Sequence, residues 1–590
     1  MTTGIALPDA AAGTVTRRRT ARDWIAGRPG LLAASAYLAA ALALNWRLWA
    51  GLGSMAPAGD PGPADNDLMA WFMRYAAHAV AHGHLPALVT TALNAPHGIN
   101  LMWNNSMLFP AVALAPVTLL CGPLASLTVL ATLGYAGSAT AMYWLLRRHA
   151  ASMLAAGLGG AVFGFSPGMV NAGTAHYGIE FAVLAPLLAE AALSLLTGRG
   201  DPLRTGAWLG LLAAAQLFTG EGMLAEVVIG CAVLAAVLGA SRRPAARARL
   251  GGVARGLCAA ALVALPACGY ALWTQFHGPL AQHGSPWPIA NFTNGIHSFI
   301  DPQGQLALHT ASTAAYADTQ GALSAEYLAY LGPPLLILAA SATVWYWDVL
   351  RLRAAGVTWA VLEALSLGVH RPLPFHYLLH LPLAGDLIPT RMSIPADAAV
   401  AAVLAFWLDQ ARSGIPGTAG PLRRAMPVVI ALLAVLPLVP RPVAAVPGAR
   451  VPAGWHSVFT RLHLAPDASV LVVPLPYSRQ GQAMLWQAET GQPDELVAGW
   501  FSGPGPSGHA ATSYWGPRHT TLAVFCLDAL WQGTAPAPGC ARNLRLALRY
   551  WHPAALVADA GPGTPLARFL IGLLGAPATR GGQLLGWRTG

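Results

Sequence analysis

The chain of 590 residues is 55% hydrophobic and only 10% charged, too few charges to solvate a soluble protein of this size, which points to a multi-spanning membrane protein. Its net charge of +10 does not argue for nucleic acid, because all 34 basic residues are arginine and fall in short clusters between apolar segments, where they orient helices. The absence of lysine also excludes a Schiff-base mechanism and a Walker-type phosphate loop, both of which need that amine.

In chain order, residues 1 to 23 are polar and end in Arg17, Arg18, Arg19 and Arg22, followed by an apolar run from Leu31 to Ala50 about one bilayer long. This reads as an uncleaved anchor with a cytoplasmic amino terminus, closed by the interfacial pair Trp46 and Trp49. A first outer loop, 51 to 107, carries three acids close together, Asp60, Asp65 and Asp67. Its segment Leu68 to Gly83 has helical spacing, so Asp65 and Asp67 stand at the positive end of a helix. Taken alone, the three acids are also what a solvated Pro- and Gly-rich turn contains. Leu108 to Cys121 is apolar but too short to span and reads as a surface or half-inserted helix.

The arginine clusters at 147/148, 199/204, 242 to 249, 351/353 and 412 to 424 mark cytoplasmic turns. Between and after them the apolar segments lie near 153–165, 178–197, 205–219, 222–240, 253–273, 328–347, 355–369, 393–410 and 425–440; with the anchor and the return that brings Arg147 and Arg148 inside, this makes about 11 crossings in all. The membrane part then occupies 1–445. Prolines from 437 to 452 read as a stiff linker to an extracytoplasmic α/β domain, 446–590, with strands at Ser469 to Pro474 and Ala554 to Ala558 and helices at Arg542 to Tyr550 and Pro565 to Leu574. Cys526 and Cys540 are its only cysteines and are expected to pair on an oxidising side, whereas Cys121, Cys231, Cys258 and Cys268 read as small buried hydrophobes.

With this topology the polar residues collect on one face: the three acids, His176, Glu221, the loop from Gln275 to Glu326, and the stretch from His370 to Arg391. A carboxylate there can serve as general base for a hydroxyl, and outward arginines can hold a phosphate whose lipid tail stays in the bilayer. Glu221, at a hairpin tip between apolar helices, needs a partner, for which an Arg or His bond and a sugar-site role weigh equally. Three other signals are discounted. Gly164-Phe-Ser-Pro-Gly168 fits the hydrolase elbow but follows a helix rather than a strand. His376 and His380 have no carboxylate to complete a metal set. Trp486, Trp500, Trp515 and Trp531 could stack on sugars, although core packing explains such aromatics as often.

The stretches Asp65-Asn-Asp-Leu-Met-Ala-Trp-Phe-Met73, His82-Gly-His-Leu-Pro86, Ala95-Pro-His-Gly-Ile-Asn-Leu101, Phe163-Gly-Phe-Ser-Pro167 with His176, Thr219-Gly-Glu221, Glu326-Tyr-Leu-Ala-Tyr-Leu-Gly332 and Ile388-Pro-Thr-Arg391 resemble the GT-C glycosyltransferases. Val470 to Tyr477 and Met484 to Ala488 look like the outer domain of actinobacterial members. The resemblance implies a helical polytopic enzyme of the bacterial cytoplasmic membrane. It would move a sugar, with inversion, from a polyprenyl-phosphate donor to a glycan, lipid or protein hydroxyl. Asp65 would be the base, Asp67 its assistant or a cation ligand, and Asp60, His176, Glu221, Glu326, Arg371 and Arg391 the substrate-binding groups, with Arg391 on the leaving phosphate and Arg371 the weaker candidate. The pattern demands no cofactor and leaves room for a divalent cation. A lipid-linked-saccharide transporter and a non-catalytic scaffold are the alternatives; the chain shows no internal repeat of the kind a transporter carries.

Overall fold

The structure, a computed structural model, describes residues 28–59, 64–319, 324–381, 384–416, 418–465, 467–491 and 494–589. The amino-terminal arginines and Asp60 lie outside the described residues. Among the described residues seven helical segments are long and apolar enough to cross a membrane: Pro123–Arg148, Met153–Ala172, Tyr177–Thr197, Glu221–Ser241, Arg243–Phe276, Pro389–Ser413 and Pro421–Leu438. Four shorter helices, Pro29–Leu44, Pro202–Leu217, Gly332–Trp345 and Leu350–Ser366, pack into the same bundle.

Two segments depart from their expected limits for a common reason. The helix Arg243–Phe276 has 34 residues and starts ten earlier than its apolar stretch, so Arg243, Arg247 and Arg249 stand on a helix that, at about 51 Å, outruns a hydrocarbon core of about 30 Å. Leu350–Ser366 likewise begins with Arg351 and Arg353 in helical conformation. Arginine's good helix propensity lets a membrane helix continue into water, and hydropathy alone sees only the apolar part.

Leu108 to Cys121 forms two short helices, Leu108–Ala113 and Ala115–Cys121, neither long enough to span. Both pack against the helix Ala64–Ala81, which carries Asp65 and Asp67 in its first turn as the spacing predicts. In Gly164 to Gly168, Ser166 caps the helix Pro167–Ala172 by accepting from the Met169 amide, and a helix precedes it, which removes the elbow reading.

The tail folds around a five-stranded mixed sheet. Strand β1 (Ser469–Val473) runs parallel to β2 (Glu495–Leu496) on one side and β3 (Ala555–Asp559) on the other; β4 (Thr579–Gly581) and β5 (Leu584–Arg588) continue antiparallel beyond β3. The apolar runs of β1 and β3 are buried on both faces, which suits central strands. Helices Cys540–Trp551 and Pro565–Leu574 lie where expected. Cys526 and Cys540 are joined, with Cα atoms 5.7 Å apart.

The tail is not carried on a free linker. Within the proline-rich segment, Ala445–Pro447 pairs antiparallel with Met55–Pro57 of the first loop. The tail helix Gln482–Thr490 packs on Ala64–Ala81, where Trp71 Nε1 donates to Gln487 Oε1 at 2.6 Å, and the Ala95 amide donates to the Leu496 carbonyl at 2.8 Å. The expectation of four buried free cysteines needs correcting: Cys268 is buried and Cys231 half-buried, but Cys121 and Cys258 are exposed on the outside of the helices. A thiol on an apolar exterior is as acceptable in lipid as in a core.

Candidate active site

The site begins with the first turn of Ala64–Ala81. Asp65 is half-buried, and its Oδ1 accepts a 2.6 Å hydrogen bond from Nε1 of Trp500, a tail residue. The Trp287 ring lies 6.4 Å from the Trp500 ring, so a loop between membrane helices also reaches this corner. Asn66 fixes the helix start: its amide donates to the Pro57 and Thr174 carbonyls at 3.2 and 3.0 Å, and its Oδ1 accepts from Tyr177 Oη at 3.0 Å. The neighbour of Asp65 is thereby bonded to the neighbour of His176.

Asp67 has a different setting. It is 3% exposed, its Oδ2 has no hydrogen-bond partner among the described residues, and it faces the Gly481 backbone so closely that a Cβ there would meet Asp67 Oδ2 at 2.8 Å. Burial pushes its pKa up to about 7. The two acids thus differ in access: Asp67 is covered by the tail backbone, whereas Asp65 is half-buried.

The raised pKa of Asp67 gives a pH prediction. A carboxyl whose folded pKa lies above its unfolded value contributes stability that is complete below about pH 4 and lost as pH rises through about 7. Asp67→Asn should therefore raise the thermal unfolding temperature of the purified protein at pH 8, raise it less at pH 5 and leave it nearly unchanged at pH 4 or below. Equal shifts at all three pH values would remove the assignment.

Beyond Asn66 lies a second cluster. Glu326, 3% exposed, receives Arg391 through both Nε (3.1 and 3.2 Å) and Nη2 (2.5 Å), and its Oε1 lies 3.4 Å from His176 Nδ1, an ion-pair separation without hydrogen-bond geometry. Burial alone would raise the Glu326 pKa; the Arg391 charge, then His176, overcome it and hold the carboxyl below its ordinary value. Arg391 also feels Glu226 and Glu221 of the membrane helix Glu221–Ser241, and a Cβ at Gly222 would stand 4.0 Å from its Nη1. Glu221 is near enough to feel the Arg391 charge, but the ion pair of Arg391 among the described residues is with Glu326.

His176, Glu326 and Arg391 come together, with Glu221 near enough to feel the Arg391 charge, and the helix start that carries Asp65 is tied to the segment of His176 through the Asn66–Tyr177 bond. Arg371 does not. Its Nε donates to His376 Nε2 at 3.0 Å on an exposed turn, and His376 Nδ1 contacts the Val369 carbonyl at 3.0 Å, which leaves that ring no freedom for a metal with His380. Among the described residues no group of three or more His, Cys, Asp or Glu is placed to hold a metal ion. The tail tryptophans divide: Trp486 and Trp515 are core, Trp531 is exposed, and Trp500 holds Asp65.

Sequence reading missed Glu226, whose Oε2 is buried without a partner among the described residues; its signal was an acid inside an apolar run. It also missed Glu363, whose Oε2 accepts from Ser366 and Ser393 at 3.2 and 3.0 Å inside the bundle, where it interacts with Asp397.

The sequence matches no family model and no curated protein. Among solved structures, the arabinofuranosyltransferase AftD from Mycobacteria superposes with a TM-score of 0.52 at 18% identity over 92% of this chain and 35% of its own. The chain has a GT-C fold. It spans about a third of the length of AftD, so the GT-C likeness covers part of that protein only. The oligosaccharyltransferase of Archaeoglobus fulgidus (TM-score 0.46, 11% identity, 91% of this chain and 70% of its own) and ArnT from Cupriavidus metallidurans (0.42, 12%, 97% and 98%) are further matches.

Proposed function

We propose that this protein is a membrane glycosyltransferase that transfers a sugar from a polyprenyl-phosphate donor to an acceptor hydroxyl, with Asp65 as general base. The observation that carries the reading is the Asp65 carboxylate, half-buried at the positive end of a helix and held through one oxygen by Trp500, on a helix start that the Asn66–Tyr177 bond ties to the segment carrying His176, the neighbour of the buried Glu326–Arg391 pair. That arrangement supplies both things the reaction needs, a base and a cation. Asp65 takes the acceptor proton, the acceptor oxygen forms its bond to the anomeric carbon, and the bond from that carbon to the phosphate oxygen breaks, its electron pair leaving with the lipid phosphate. Arg391 Nη1, the guanidinium nitrogen that does not bond Glu326, faces the first turn of Glu221–Ser241, where a helix amino terminus also favours an anion.

In this reading the seven apolar segments and the four shorter bundle helices make eleven crossings, with the arginine-rich turns in the cytoplasm and the tail, 446–590, as an outer domain. A scaffold would not need a base, a buried ion pair and an aromatic wall in one corner. The test is transfer itself: membranes containing or lacking the protein, incubated with a panel of labelled polyprenyl-phosphate sugars, should differ in labelled product for at least one donor. No difference across arabinosyl, mannosyl, glucosyl and galactosyl donors, with the protein shown to be folded, would count against the proposal.

The cysteine pair tests the orientation independently. Thiols joined as Cys526–Cys540 require an oxidising compartment, and closing a loop of that size contributes on the order of 3 kcal/mol by the chain-entropy relation. Peptide mapping without reductant, on protein from native membranes, should recover the bridged peptide. Two free thiols would place the tail in the cytoplasm.

A further inference from the structure

A cavity of about 520 Å³ lies within the bundle, away from the acidic corner. Its walls are apolar side chains such as Met142, Phe163, Leu193, Leu234 and Ala402. It follows the helix Glu221–Ser241 from Val227 to Leu238, about 17 Å, slightly more than the ~15 Å of hydrocarbon in one leaflet. At one end, toward the Arg391 cluster, the lining is Val227, Leu362 and Ile394; at the other it is Arg242, Arg351 and His149.

The charged end is unbalanced. Of the acids near it, Glu190 is occupied by Arg148 at 2.7 Å and His149 at 2.6 Å, and Asp348, beside the lining residue Val349, is exposed and makes no ion pair with either arginine among the described residues. Arg351 lies over the Phe406 ring, 5.1 Å from its centroid, an arrangement that leaves its N–H groups free to bond. The Arg242 side chain has no hydrogen bond or ion pair among the described residues, and no acidic residue lines the cavity. Two guanidinium groups at the mouth of a chain-length apolar cleft match an anionic phosphate attached to a hydrocarbon tail.

We infer that this cavity binds an anionic glycerophospholipid from the leaflet on the arginine side, one acyl chain in the cleft and the phosphodiester between Arg242 and Arg351. The inference is independent of the transfer chemistry. The lipid fills space between Pro123–Arg148, Tyr177–Thr197, Glu221–Ser241, Leu350–Ser366 and Pro389–Ser413, and so braces the helices that carry Glu221 and Arg391.

The full-length protein, delipidated in mild detergent, would be titrated with phosphatidylglycerol or phosphatidylcholine of the same acyl chains, and retained lipid read by native mass spectrometry. Two surface arginines correspond to a preference of roughly thirtyfold for phosphatidylglycerol. Arg242→Gln combined with Arg351→Gln should abolish the preference while both lipids still bind. Ala402→Phe, which fills the cleft, should abolish retention of either. Should Ala402→Phe fail to fold, Ala398→Leu on the same wall makes the test. An unchanged preference in the double variant, unchanged retention in the filled variant, or polyprenyl phosphate competing phosphatidylglycerol out of the cleft would each overturn the assignment.

Discussion

Asp65→Asn is expected to lower sugar transfer by at least about a hundredfold with no loss of folded protein, because the amide preserves size and polarity but cannot take the acceptor proton. The hydrogen bond from Trp500 survives the change, since the asparagine carbonyl can accept it in place of Oδ1. Loss of activity would then report chemistry rather than a displaced tail. Asp67→Asn separates the two acids. Its side chain is buried against Gly481, where burial pushes its pKa up to about 7, so transfer should fall far less than for Asp65→Asn. The measurement is the initial rate with the donor found by the labelled-lipid screen, alongside the unfolding temperature of each variant. Full activity in both variants would end the catalytic reading of this helix and favour the scaffold.

What the sequence made legible follows from the range of the interactions involved. The helix beginning at Ala64, the buried strands Ser469–Val473 and Ala555–Asp559, and the helix Pro565–Leu574 are set by local periodicity and apolar runs, and all were readable. The candidate site was readable as residue types: an acid pair at a helix start, and a glutamate and an arginine at the ends of apolar segments. Its assembly was not. Trp500 meets Asp65 across 435 positions of chain, and Trp71 meets Gln487 across 416, so no window of sequence contains either contact. Arg371 and Arg391 both stand near a proline at a membrane edge, and the sequence ranked Arg371 only as the weaker candidate. Only packing puts one against an exposed histidine and the other against a buried carboxylate. The tail cysteines were legible because compartment logic needs no geometry, whereas the exterior positions of Cys121 and Cys258 depend on which face of a helix meets lipid.

Arg391 is where the second large effect should appear. Arg391→Ala leaves Glu326, 3% exposed, without the cation that overcomes its desolvation, and breaking a buried pair from one side costs about 3–5 kcal/mol. The arginine side chain is 21% exposed, so water can partly replace it and the lower end of that range is expected. The cost belongs to the orphaned carboxylate. Adding Glu326→Gln to Arg391→Ala should therefore recover part of it, and the two effects will not add because the groups touch. Arg391→Lys keeps the charge but has one nitrogen where the fork offers Nε and Nη2 to Glu326 and Nη1 to the first turn of Glu221–Ser241, so it cannot serve both sides. Stability should then fall only slightly, while transfer falls to a level between those of wild type and Asp65→Asn. Thermal unfolding in detergent reads the first effect and donor turnover the second. An Arg391→Ala protein that unfolds at the wild-type temperature would show that Glu326 does not depend on the arginine, and the cluster could no longer be taken as a fixed cation beside the base.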